Sequence, residues 1–311
     1  VLKKSSTIEM ECGVSMKRVK LVCFSGTGGT KRFTSLLETC LIKNSCDVTV
    51  LYLETKSIEI AKREGTFYDN SYDLITILFP VHAFDAPEPV YKWIKALPNC
   101  KSVSVALISV SAGGEIWINQ ACRFGLIKVL SQKGYDVFYE RMIIMPSNML
   151  IATKETFSMR LLQLLPIKAE NTAKEILELK QRRIKTKFKS RLLTRLAKIE
   201  KVTSKLFGKE LRIKKSCTQC GLCVKSCPMG NIKMNHGTPH FGWHCVECLR
   251  CVYICPTHSI YPIISRYMVI KEGYDLERIG KQLENTVLES DEEITSGGYS
   301  FFKEYIKNDW V

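Results

Sequence analysis

The chain of 311 residues is long enough for about two domains of ordinary size, and 45% hydrophobic with 25% charged residues excludes a wholly disordered, collagenous or mucin-like polypeptide. Its longest apolar run, Leu74 to Val81, stops after eight residues, against the ~20 that a membrane-crossing helix needs, so no transmembrane segment is expected. The formal charge of +15 is uneven: residues 154–215 hold 19 Lys and Arg against 6 Asp and Glu, whereas residues 271–311 hold 5 against 10.

Residues 1–15 carry no apolar stretch of the kind an export signal has, which points to a cytoplasmic location. They read as an N-terminal extension ahead of a natural start at Met16. From Arg18 the chain alternates short runs rich in Val, Ile and Leu with helix-compatible stretches. Strands are predicted at 18–24, 47–53, 73–79, 103–109 and 137–144, and helices at about 30–43, 87–97 and 115–133. Five such runs, each apolar on both sides, predict a parallel sheet covered by helices on both faces. Sheets of this kind bind ligands at the carboxyl ends of their strands.

The first strand runs into Ser25-Gly26-Thr27-Gly28-Gly29-Thr30 and then into a helix. A Walker A loop would need an adjacent Gly-Lys pair, and the dinucleotide fingerprint would need a glycine where Lys31 stands. An acidic residue does follow the second strand at Glu54. Hydroxyls at Ser25, Thr27 and Thr30, with glycines at 26, 28 and 29 that let the backbone curl, suit a terminal phosphate at a helix N-terminus. The run resembles the [ST]-x-T-G-x-T phosphate loop of flavodoxins. That resemblance implies a doubly wound sheet of order 2-1-3-4-5 over residues 16–167, and FMN as its cofactor. The loops after the third and fourth strands would then clasp the flavin ring. They contribute Val81, His82, Ala83 and Phe84 from the first, and Ser109, Ser111, Ala112, Gly113 and Gly114 from the second. His82 or Phe84 is the expected ring neighbour, with Trp117 a weaker one, since these loops lack the Trp or Tyr of long-chain flavodoxins.

Residues 168–210 form a basic helical segment, in which Ile184, Phe188, Leu192, Leu196, Ile199, Val202 and Leu206 recur three or four residues apart among Lys and Arg. Pro166 marks where its first helix is expected to begin. Such a helix serves to pack on the sheet domain, to dock an acidic redox partner or an anionic membrane surface, or to bind nucleic acid. No aromatic interleaving or recognition motif supports the last, so no nucleic-acid partner is expected.

Eight of the fourteen cysteines fall in two copies of one motif. The first is Cys217-x2-Cys220-x2-Cys223-x3-Cys227-Pro228 and the second Cys245-x2-Cys248-x2-Cys251-x3-Cys255-Pro256, every member displaced by 28, as are Ile232 and Ile260. Zinc ribbons also use C-x2-C, but pair two ligands from each of two knuckles. Three cysteines at this spacing wrap three corners of a cubane, and a fourth before proline reaches a different cluster. Residues 211–265 resemble a two-cluster [4Fe–4S] bacterial ferredoxin, a small α+β domain. The resemblance implies that Cys217, Cys220, Cys223 and Cys255 hold one cluster, and Cys245, Cys248, Cys251 and Cys227 the other. Gly221 fits a close approach of backbone to cluster sulfur. His236, His240 and His244 lie among Gly237, Pro239 and Gly242 and read as hairpin surface residues; the six remaining cysteines read as inert apolar side chains. The acidic tail, 266–311, is expected either to lie across the basic segment or to hang as a loose arm.

Taken together, residues 16–264 resemble the flavodoxin–ferredoxin fusions of anaerobic bacteria. The resemblance implies an electron-transfer protein exchanging electrons with ferredoxin- or flavodoxin-dependent oxidoreductases, acidic ones included. A rival reading is an FMN-dependent reductase of a quinone or other small acceptor. That reading needs a general acid, for which His82, Asp85 and Glu115 are the candidates.

Overall fold

The computed structural model describes residues 16–69, 71–196 and 200–307, with backbone only at 200–202; the expected extension 1–15 lies outside them. Strands and helices alternate as β1 (Arg18–Cys23), α1 (Gly29–Lys43), β2 (Asp47–Tyr52), α2 (Thr55–Arg63), β3 (Leu74–Pro80), α3 (Glu88–Ala96), β4 (Ser104–Ser111), α4 (Phe124–Gln132), β5 (Asp136–Ile144) and α5 (Glu155–Leu177). All neighbouring strands pair in parallel, in the order β2-β1-β3-β4-β5. This is the flavodoxin-like doubly wound sheet, whose switch point lies between β1 and β3. The inner strands are mainly apolar because each face is covered, while the edge strand β2 is only partly buried. Val19 and Leu21 of β1 pack with Phe33, Leu37 and Leu41 of α1 and Leu165 and Ile176 of α5. Val22 points the other way, toward Trp93 and Ile94 of α3 and Leu126 and Leu130 of α4.

Three departures from the expected elements have physical reasons. Helix α2 buries only Ala61, so it leaves almost no apolar period to read. The helix expected from 115 begins at Phe124, because the preceding turns are spent on an ionic core. There Arg123, fully buried, pairs with Glu115 and Glu140, and Asn119 donates to Ser111 Oγ (3.1 Å) and the Gly114 carbonyl (2.9 Å). Pro166 does not begin a helix but lies inside α5, and the boundary expected between 167 and 168 falls in that same helix. The buried stripe Phe157, Leu161, Leu165, Ala169, Ala173 and Ile176 runs past the proline on both sides. This packing outweighs the ~3 kcal/mol that an interior proline costs. The sheet domain therefore extends through Leu177.

Arg123→Met is expected to destabilise the fold by about 3–5 kcal/mol, because it strands the buried carboxylates of Glu115 and Glu140. Urea unfolding followed by circular dichroism reads this directly, and a loss under 1 kcal/mol would contradict it.

Beyond α5, Arg183 returns to Glu140 (2.8 Å) and leads into α6 (Phe188–Leu196) and α7 (Glu200–Glu210). The cysteine-rich part comprises β6 (Leu211–Ile213), α8 (Leu222–Ser226), β7 (Ile232–Asn235), β8 (Thr238–Phe241), α9 (Arg250–Tyr253) and β9 (Ile260–Pro262). Its backbone obeys the 28-residue repeat. Left-handed residues recur at Gln219 and Glu247, Gly221 and Leu249, and Gly230 and His258. The strands exchange between the two halves: Ile213 pairs with Ile260 in β6–β9, and Phe241 pairs with Ile232 in β7–β8. A small α+β ferredoxin-like unit results.

The acidic tail is no loose arm. Within α10 (Leu276–Glu284), Leu276 and Ile279 join the α1–α5 core. Ile294 of α11 (Asp291–Ile294), Phe302, and Tyr305 and Ile306 of α12 (Lys303–Lys307) bury against Ile144, Phe157, Leu161 and Leu164. Its carboxylates pair with the first cations of the basic stretch, Asp291 with Arg160 (2.9 Å) and Glu289 with Lys154 (3.4 Å), while buried Lys168 donates to the Tyr305 carbonyl (2.7 Å).

Candidate functional site

At the carboxyl ends of β1, β3, β4 and β5 lies a cavity of about 740 Å³. Ser25, Gly26, Thr27, Gly29, Thr30, Val81, His82, Ala83, Phe84, Ser111, Ala112 and Gly113 all line it. Three of the expected residues sit elsewhere. Gly28 holds the left-handed turn (φ 102°) that starts α1. Ser109 is fully buried, its hydroxyl accepting from Arg123 Nη1 (2.5 Å). Gly114 packs on Ile144 and Phe302. Trp117 is 56% exposed and lies outside the lining.

The loop into α1 has the chemistry of an anion site. The first N–H groups of any helix lack internal partners, and α1 has neither a side-chain cap nor an acidic residue in its first turn. Ser25 Oγ accepts from Lys31 N–H (3.2 Å), and Asn148 Nδ2 donates to Thr27 Oγ1 (2.9 Å). The half-buried Tyr274 phenol, raised above the usual tyrosine range by desolvation, also hydrogen-bonds Thr27. A compact dianion would meet backbone N–H groups and hydroxyls here, with no acidic residue in the first turn of α1.

The loop after β3 turns tightly. His82 and Asp85 exchange both backbone hydrogen bonds at 2.9 Å, with Ala83 and Phe84 at positive φ between them. Burial lowers the His82 imidazole to about 4, opposed by its hydrogen bond to the Val246 backbone. It is neutral at pH 7. A histidine depressed in the fold contributes stability above its unfolded value of 6.5, and that contribution is lost as pH falls through 4. Wild type should therefore lose its advantage over His82→Asn between pH 6.5 and 4 in urea titrations; parallel curves would contradict this. The other candidate acids are engaged elsewhere. Asp85 accepts from Tyr91 Oη (2.6 Å) and Ala86 N–H (2.8 Å), and Glu115 is held by Arg123.

The cysteine thiols fall into two neighbourhoods that cross the motifs. Cys251 is raised first by burial and then by Cys248, Cys245, Cys227 and Cys223; Cys245 is pushed up to about 12 by burial, with Cys248 and Cys227 adding to it. Cys223 instead feels Cys255 and Cys217. Equivalent backbone N–H groups point at the two crossing sulfurs, Asn231 to Cys227 and Ser259 to Cys255, each at 3.3 Å. Among the described residues, no three His, Cys, Asp or Glu side chains gather around a position for a single metal ion.

The cavity and the thiols share a wall. A Cβ on Gly26 would lie 2.9 Å from the Cβ of Cys248, and Glu247 lines the cavity. Val246 is buried in the sheet-domain core. Arg250 donates to the carbonyls of Gly26, Ser25 (2.8 Å) and Ser226 (2.8 Å) and pairs with Glu54 (2.8 Å). Thr55 N–H reaches the Pro228 carbonyl (2.8 Å), and Tyr253 Oη the Asn148 carbonyl (2.7 Å). Sequence reasoning missed Asn148, Tyr274, Glu247 and Arg250. Only Asn148 left a signal, since Pro146-Ser147-Asn148 follows β5 at its carboxyl end.

Residues 209–256 match the family model of the 4Fe-4S dicluster domain. Among solved structures, the chain is similar to a metal-soaked flavodiiron core from Synechocystis sp. (17% identity, TM-score 0.37, 54% of this chain and 37% of that one). It is also similar to general stress protein 14 of Treponema denticola, solved in complex with FMN (10%, 0.36, 52% and 96%). A third is oxidised flavodoxin 2 from Bacillus cereus (14%, 0.35, 52% and 98%). The likeness thus spans little more than a third of the flavodiiron core. No curated protein matches the sequence. A flavodoxin-like sheet and a 4Fe-4S dicluster unit stand in one chain, and among the described residues no helix is long and apolar enough to cross a membrane.

Proposed function

We propose that this protein transfers electrons between FMN, seated in the cavity, and two [4Fe–4S] clusters held by Cys217, Cys220, Cys223 and Cys255 and by Cys245, Cys248, Cys251 and Cys227. The observation that carries the reading is the shared wall, where Gly26 of the phosphate loop abuts Cys248. FMN supplies one- and two-electron chemistry and each cluster one-electron chemistry, so a chain holding both converts between them. The residues do the positioning. Ser25, Thr27, Thr30 and the start of α1 hold the phosphate, the 81–84 and 111–113 loops hold the ring, and Arg250 fixes the phosphate loop to the cysteine loop. Redox proteins that use ferredoxin or flavodoxin are the partner class. Anaerobic purification with iron, sulfide and flavin analysis tests this; the expected yield is one flavin and about eight irons per chain. Colourless protein, or zinc on the thiols, would overturn it.

A second reading has one observation in its favour. Leu150, Leu206, Ile264 and Tyr267 line the cavity yet stay 54–80% exposed, giving it an apolar mouth. A quinone-like acceptor would fit there. Steady-state turnover with a quinone, faster than electron exchange with a ferredoxin, would favour this reading.

A further inference from the structure

Helix α6 is built inside out. Its buried positions are Ser190 and Thr194, and Thr194 Oγ1 donates to the Phe84 carbonyl (3.1 Å) on the cavity loop. Its large apolar side chains face solvent instead: Phe188 is 78% exposed, Leu192 46% and Leu196 60%. At about 3.6 residues per turn these three, spaced by four, form one ridge opposite the buried face. Lys189 flanks the ridge on one side and Arg191 and Arg195 on the other, all exposed, with Lys185 and Lys187 just before the helix. Arg191 also stacks over Phe124 (4.6 Å) and donates to Thr186 Oγ1 (2.8 Å). Residues 181–199 hold eight Lys and Arg and no Asp or Glu.

We infer that α6 seats the protein on an anionic lipid surface, Phe188, Leu192 and Leu196 entering the headgroup boundary while the flanking cations meet lipid phosphates. An interfacial helix combines an apolar strip with Lys and Arg along its margins, whose stems lie along the interface while their charges stay in water. An acidic protein would satisfy the cations but would also have to supply a groove shaped to three protruding side chains. A bilayer interface supplies anions and apolar depth without any matching of shape. The inference goes beyond electron transfer and does not depend on it, since lipid binding needs no reactive cofactor. Through Thr194 it places the Phe84 loop directly under the membrane-facing helix.

The test is co-sedimentation of the full-length protein with vesicles of phosphatidylcholine containing about 30% phosphatidylglycerol, against pure phosphatidylcholine, at low and high salt. Binding is expected only to the anionic vesicles and should fall steeply with salt. Phe188→Ser with Leu192→Ser, and separately Lys189→Glu with Arg195→Glu, should each weaken it by about tenfold or more, with unchanged far-ultraviolet circular dichroism showing that the fold survives. Equal binding to neutral vesicles, no binding to anionic ones, or unaffected variants would overturn the inference. So would retention on an acidic ferredoxin, or concentration-dependent dimerisation, abolished by Phe188→Ser in a protein that ignores vesicles.

Discussion

Arg250→Met is expected to weaken FMN binding by about tenfold and to destabilise the contact between the two halves by about 2–4 kcal/mol, while leaving the iron content unchanged. One guanidinium here reaches three carbonyls and a carboxylate. Its side chain is 17% exposed and that of Glu54 28%, so water screens the pair only in part. In a trans peptide the C=O and the following N–H point in opposite directions. Tying the carbonyls of Ser25 and Gly26 to Arg250 therefore turns the N–H groups of Gly26 and Thr27 away from it. Those are the donors a phosphate would use. Methionine keeps the stem and loses the fork, so the loop can rotate its peptides and must be ordered anew when the phosphate arrives. Lysine should restore the charge but not the forked geometry, and so only part of the affinity. Flavin titration by fluorescence quenching measures this; wild-type affinity in Arg250→Met would contradict it.

The parts of this architecture that sequence made legible are those written locally. The strands showed as apolar runs because both sheet faces are covered, and each begins within one residue of its expected start. The cysteine repeat was legible because cluster ligation demands fixed spacing. The cavity loop before α1 was legible because its glycines and hydroxyls stand together between a strand and a helix. What stayed hidden depends on partners far apart in the chain. Tyr274 reaches Thr27, Lys168 reaches Tyr305 across 137 residues, and Arg250 reaches Gly26 across 224. The tail looked like a solvated acidic arm because its charges dominate its composition. Leu276, Ile279 and Leu283 do recur at helical spacing and mark the face that α10 buries, but Ile294, Phe302, Tyr305 and Ile306 are spread over short elements with no single period. Pro166 misled for the opposite reason: a strong local rule was overridden by tertiary packing on both sides of it. Ser109 was assigned to the site for standing in the right loop. Its hydroxyl was already committed to Arg123, a residue no motif marks.

Cys227→Ser and Cys255→Ser should look alike by iron analysis and opposite by function. Each removes one thiolate, and each is expected to lower the iron from about eight to about four per chain. Because Cys227 lies with Cys245, Cys248 and Cys251, its loss should empty the site beside the cavity, although Cys227 belongs to the first motif. Cys255 lies with Cys217 and Cys223, and the cysteine that Gly26 approaches is Cys248 of the other set, so loss of Cys255 should spare the site against the phosphate loop. With flavin loaded equally, reduction of the flavin through the clusters by a one-electron donor should nearly vanish in Cys227→Ser and persist in Cys255→Ser. Serine is close in volume to cysteine, and both sulfurs accept a backbone N–H at 3.3 Å that a hydroxyl also accepts, so the local fold has reason to survive. The flavin-binding constant of each variant checks that it has. The reverse pattern, with Cys255→Ser the blocked variant, would mean that each motif ligates its own cluster. Equal impairment would mean that both clusters are required in series, with the donor entering at the set of Cys217, Cys220, Cys223 and Cys255. Only the difference between the two variants fixes which cluster the flavin faces; with the ligand sets proposed above, the approach of Gly26 to Cys248 makes the one that Cys227 completes the expected answer.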